Sequence, residues 1–90
     1  MDDLEQLRKE IDQIDEKMVE LFEKRIEIVL KIGEYKRERN LPVRDENREV
    51  KLMEKVKSCL KDKSREQELI KFFNSLLEIS KEVQSKLEIR

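Results

Sequence analysis

Arg25, Lys36, Glu49, Ser80 and Gln84 fall on helical faces that this 90-residue sequence otherwise fills with apolar side chains, and Arg48 flanks one of those faces. A buried polar or charged group costs several kcal/mol unless something satisfies it, so each break needs a partner or a ligand. The set is rich in fixed positive charge and in neutral donors, with one carboxylate among them. Such groups suit the capture and orientation of an anion. The sequence has no His and a single Cys59, so imidazole acid–base chemistry is absent and no nitrogen- or thiolate-rich metal site can be assembled. Cys59 reads as a small core residue, because no His can activate it. If the chain is an enzyme, it works by binding, orientation and electrostatics. The alternative is that the polar residues pair with one another, for instance Arg25 with Glu49, as register-setting contacts in a helical dimer. Pattern alone leaves both readings open. Arg37, Arg39 and Arg44 read as a solvated basic patch around the first turn.

The elements that must position these residues are all helices. Leu4, Leu7, Ile11, Ile14, Met18, Leu21, Arg25, Ile28, Ile32 and Tyr35 alternate by three and four residues, which predicts one helix over residues 4–39. At about 1.5 Å per residue it would be roughly 50 Å long, too long for the two later segments to cover, so a second chain is the expected cover. On this helix Lys36 returns to nearly the angle of Arg25 three turns later. The stretch Asn40-Leu41-Pro42 breaks the pattern, since Pro lacks a donor and pushes its predecessor out of the α region. Asp45 is the expected N-cap of a second helix over residues 45–60, with Leu52, Met53, Val56 and Leu60 inward. Ser64 and Gln67 form a capping-box pattern that should open a third helix over residues 65–88.

Composition agrees. Charged residues make up 48% of the chain, and there is one Gly, one Pro and no Trp, which favours long helices and leaves little for strands or turns. The expectation is one all-α domain spanning residues 1–90. A chain this short buries little surface alone, which again favours an oligomer. The 21 basic and 22 acidic residues nearly cancel, so neither nucleic acid nor an anionic membrane is an expected partner. The lone cysteine and the acidic start, with no apolar leader, suggest the cytoplasm.

Taken in order, several local motifs resemble those of the all-helical, AroQ-type chorismate mutases. They are Leu7-Arg8, Ile11-Asp12-Gln13-Ile14-Asp15, Glu23-Lys24-Arg25, Gly33-Glu34-Tyr35-Lys36, Pro42-Val43-Arg44-Asp45-Glu46-Asn47-Arg48-Glu49, and Ser80 with Gln84 four residues on. The resemblance covers essentially the whole chain. It implies three helices per chain in an intertwined homodimer and a cofactor-free, metal-free rearrangement of chorismate to prephenate. Arg25, together with Arg8 from the partner subunit, would hold the two substrate carboxylates, a task that suits bidentate guanidinium forks. Lys36 and Gln84 would donate to the ether oxygen. Glu49 would accept from the ring hydroxyl with the backbone of Asp45 beside it, and Arg48 and Ser80 would make supporting contacts.

Helix geometry argues separately for a shared site. Arg8 and Arg25 are about 25 Å and about 100° apart on one helix, so one chain cannot bring both to a small ligand. If two first helices pair antiparallel about residues 18–20, Arg8 falls opposite residues 28–32, between the other chain's Arg25 and Lys36. Two further functions compete with this one. Isochorismate pyruvate lyase shares the resemblance, though residues 44–49 follow the mutase pattern more closely. A non-enzymatic dimerisation or regulatory module would have the polar breaks internally paired.

Overall fold

The computed structural model describes residues 3–88, and among them there is no strand. In chain order they form α1 (Asp3–Glu38), α2 (Glu46–Cys59), a single 3₁₀ turn (Lys63–Arg65) and α3 (Glu66–Glu88). The all-helical, three-helix expectation holds.

Each boundary has a local cause. α1 carries Asp3 and Glu5 in its first turn and Lys36 and Arg37 in its last, which complements the helix dipole at both ends. It stops at Asn40, whose φ of 56° is left-handed. The amide of Leu41 then bonds the carbonyl of Lys36 at 2.8 Å and that of Asn40 bonds Arg37 at 3.3 Å, a Schellman closure that Asn tolerates better than most residues. Pro42 lies beyond this stop and prevents any resumption. Asp45 is the N-cap of α2, its Oδ1 accepting from the Arg48 amide at 3.1 Å.

The start of the third helix departs from the sequence pattern. Ser64 does not cap α3; it lies inside the 3₁₀ turn, and the cap is Asp62. The Asp62 Oδ1 accepts from the Ser64 amide at 3.1 Å and from its hydroxyl at 2.6 Å. With its hydroxyl spent on Asp62, Ser64 has no role at the α3 amides, and the 3₁₀ turn runs straight into α3 through Glu66 in αR conformation.

The chain measures 58 × 28 × 15 Å, so its shortest dimension leaves room for little more than one layer of helices about 10–12 Å across. α3 lies along the C-terminal half of α1, and α2 packs on α3. The seam between α1 and α3 is the only deeply closed region among the described residues: Val29, Leu87 and Gln84 are each less than one-tenth exposed. Gly33 makes this seam possible. A Cβ there would stand 2.7 Å from Leu87 Cδ1 and 3.1 Å from Gln84 Cγ, closer than real contacts allow, so the helices approach where the chain has its single glycine. The apolar stripe of α1 points elsewhere. From Leu4 to Tyr35 its apolar members are 44–62% exposed.

Candidate active site

Polar groups follow one another along the α1–α3 seam, a turn at a time. Gln84 is buried, and its Nε2 donates to the Val29 carbonyl at 3.0 Å. One turn earlier on each helix, Arg25 Nη1 donates to Ser80 Oγ, and that hydroxyl donates to the Leu76 carbonyl at 2.8 Å. Ser80 thus offers its lone pair to the guanidinium because its proton is committed to its own helix. Burial, and then the nearby positive charge of Arg48, lower Arg25 from its usual pKa. Two guanidiniums therefore sit close enough to oppose each other, and among the described residues neither has an acidic partner. That arrangement is suited to an anion.

The first turn of α2 supplies Arg48 and Glu49. Glu49 does not pair with Arg25, the contact that an internally paired core would make. Its Oε2 lies 3.5 Å from Lys81 Nζ, which also lies 3.1 Å from Glu78 Oε1. The reason is placement: α2 packs on α3, and Glu49 meets the α3 residue next to Ser80 rather than α1.

Lys36 closes the lower end. Its Nζ donates to the Val43 carbonyl at 2.8 Å, and it lines an open hollow of about 500 Å³ with Leu41, Pro42, Arg44, Asp45, Glu46 and Asn47. An ammonium has three protons and a primary amide two, so Lys36 and Gln84 each keep an N–H to offer after their backbone contacts. A second hollow, about 630 Å³ and mostly apolar, opens beside Arg25 between Met18, Leu21 and Phe22 of α1 and Phe72, Phe73 and Leu76 of α3. Among the described residues no group of three or more Asp, Glu or Cys side chains converges to hold a metal, and no helix is long and apolar enough to cross a membrane.

A sequence profile of chorismate mutase type II matches residues 7–85, nearly the whole chain. The chain belongs to the chorismate mutase type II family, a family of isomerases. It is 29% identical over 82 residues to the chorismate mutase of Methanocaldococcus jannaschii, covering 90% of this chain and 83% of that protein. It is 43% identical over 56 residues to the bifunctional chorismate mutase/prephenate dehydratase of Aquifex aeolicus, covering 62% of this chain but 16% of that protein. The chain thus spans only a small part of this longer relative. Among solved structures it is similar to a conserved hypothetical protein from Pyrococcus furiosus, with a TM-score of 0.72 and 41% identity over 90% of this chain and 93% of that one.

Within this chain the fold brings Arg25, Ser80 and Gln84 together along one seam, with Arg48 and Glu49 beside them on α2. Lys36 and Asp45 line the adjoining hollow. Arg8 is not brought to them: it stands exposed on α1, about 25 Å along the helix from Arg25. Three participants escaped sequence reasoning. Gly33 had a signal, since a lone glycine inside a helix marks close approach. Val29 acts through its backbone carbonyl and Lys81 is one of many lysines, so neither had one.

Proposed function

We propose that this protein is a chorismate mutase that converts chorismate to prephenate for phenylalanine and tyrosine biosynthesis in the cytoplasm, as a homodimer whose two sites each take Arg8 from the partner subunit. The observation that carries the reading is Arg25, held by Ser80 near the charge of Arg48 and, among the described residues, paired with no carboxylate, beside a buried Gln84. A dianionic substrate supplies the missing negative charge.

The reaction breaks one C–O bond and forms one C–C bond in a single rearrangement, so no nucleophile, net proton transfer or redox partner enters the balance. Catalysis then reduces to two tasks. The first is to fold the flexible enolpyruvyl side chain over the ring, which needs both carboxylates held in one geometry. Arg25 and Arg8 of the partner subunit hold them, with Arg48 and Ser80 in support. The second is to meet the negative charge that grows on the departing ether oxygen. Lys36 and Gln84 donate there, and preorganised donors in a site of low dielectric are worth several kcal/mol. Glu49, beside the Asp45 backbone, accepts from the ring hydroxyl and fixes the ring.

The internally paired, non-enzymatic reading offered Arg25 with Glu49 as its example, and that pair does not form: Arg25 donates to Ser80 and Glu49 meets Lys81. The experiment is a chorismate-disappearance assay with the product identified. Prephenate is the expected product; unchanged chorismate would overturn the reading. Isochorismate offered in parallel tests the lyase, and pyruvate release from it at a higher catalytic efficiency would replace one enzyme with the other.

A further inference from the structure

Lys81 joins two carboxylates of unequal standing. Its Nζ is 3.1 Å from Glu78 Oε1 and 3.5 Å from Glu49 Oε2. Glu78 is one turn away on the same helix and 70% exposed, so that arm is an ordinary surface pair of little energetic weight. The Glu49 arm is different. It bridges α2 and α3, and the two side chains are only 21% and 24% exposed.

The neighbours give this arm its meaning. Lys81 follows Ser80, which holds Arg25, and Glu49 follows Arg48, whose charge is felt at Arg25. The bridge therefore ties the turn of α2 that carries Arg48 to the turn of α3 that carries Ser80. Released, the Glu49 carboxylate would lose its fixed position, and the proposed acceptor for the ring hydroxyl would lose its aim. Lys81 holds it on the α3 side.

We propose that Lys81 is a positioning residue for substrate binding: by holding Glu49 against α3 it keeps Glu49 aimed at the ring hydroxyl. This rests on the chorismate mutase reading above. Lys81 touches no reacting atom and acts only through Glu49, so its effect belongs mainly to KM and vanishes when Glu49 carries no charge.

The experiment is a kinetic double-mutant cycle on the full chain with chorismate, with folding followed by circular dichroism. Lys81→Met should raise KM about tenfold while kcat stays within about threefold, because a ring-hydroxyl contact made alike in the ground and transition states is uniform binding. Lys81→Arg should recover most of the loss, since it restores the cation. In a Glu49→Gln background, Lys81→Met should add less than about twofold, the signature of two residues acting as one unit. An equal loss in both backgrounds would overturn the proposal. So would a lower melting temperature with unchanged kinetic constants, which is what a purely structural bridge between α2 and α3 predicts. If the wild-type chain fails to turn over chorismate, the assigned activity itself falls and this role falls with it; if wild type is active and the cycle is additive, only the role of Lys81 is lost.

Discussion

Arg25 is a charge whose local partners are a neutral hydroxyl and another cation. Replacing it with Leu removes a partly desolvated charge and strands no carboxylate, because Glu49 is held by Lys81 and Ser80 keeps its bond to Leu76. Hydrophobic replacements of this kind are often neutral or stabilising, and since Arg25 is only half-buried the change in stability should stay within about 1 kcal/mol. Activity should not survive: losing a bidentate anchor worth about 3 kcal/mol of transition-state binding lowers kcat/KM roughly a hundredfold. Melting temperature and turnover measured on the same preparation check this, and an unstable protein with near-normal specific activity would contradict it. Gln84 gives a second test. Its amide has no titrating proton, whereas a Glu at this position must be protonated to donate, so Gln84→Glu should move the pH–activity profile toward acid. A profile that does not move would remove Gln84 from the reacting oxygen. These residues were legible in the sequence because each breaks an apolar stripe at helical spacing. Lys81 was not, because a lysine in a chain that is 48% charged carries no signal. Which cation takes Glu49 depends on how α2 lies against α3, and no local pattern encodes that.

Helix lengths and the loop after α1 follow from local chemistry, and they were legible for that reason. What the sequence pattern missed is the face of α1 that meets α3. The heptad stripe drew attention, yet the intrachain contact runs through Val29 and Gly33, because closeness of approach decides packing here and apolar content does not. Gly33→Ala tests the point. An alanine inside a helix is intrinsically better than glycine by about 1 kcal/mol, but the added methyl must displace Leu87 and Gln84. Folding should therefore change little while kcat falls about tenfold or more, since small misplacements of a catalytic donor are expensive. Unchanged kcat would show that the seam does not set the position of Gln84. The entry to α3 offers a test in acid. Two bonds from Ser64, through its side chain and its amide, hold the Asp62 carboxyl below its usual pKa. A depressed pKa means that the charged form stabilises the fold above the ordinary carboxylate value of about 3.9, and that this contribution is lost as pH falls through the lower, folded value. The melting temperature of wild type should accordingly exceed that of Asp62→Asn at neutral pH, and the gap should close in strong acid. A gap independent of pH would mean that the carboxylate charge is not what caps the turn.

The isolated chain is an incomplete solution to its own hydrophobic pattern. It is a plate 15 Å thick whose longest helix presents a stripe of Leu, Ile and Met to water, and an apolar face of that length, interrupted at Arg25, marks an interface. In the homodimer proposed above, a second copy is the partner. The middle of the stripe, at Met18 and Leu21, borders the apolar hollow shared with Phe72, Phe73 and Leu76. An antiparallel partner helix crossing there would fill the hollow and carry its own Arg8 toward the exposed Ile28 and Ile32, between Arg25 and Lys36. In that proposed dimer the two sites would be equivalent, each made from both chains.

That arrangement makes a quantitative prediction. A chain with Arg8→Ala and a chain with Arg25→Ala should each be nearly inactive alone, because every site in either homodimer lacks one anchor. Mixed and allowed to exchange, half of the dimers formed by random pairing are heterodimers. In each of these, one site takes Arg25 from the first chain and Arg8 from the second and is fully native, while the other lacks both. About a quarter of wild-type activity should return. Sedimentation of the mixture establishes that dimers are present, and differently tagged chains establish that they have exchanged. Full exchange without recovered activity would mean that Arg8 serves no site across the interface. A folded, active monomer would mean that the exposed stripe of α1 has some other use, and that the approximately 25 Å between Arg8 and Arg25 is never bridged by a substrate.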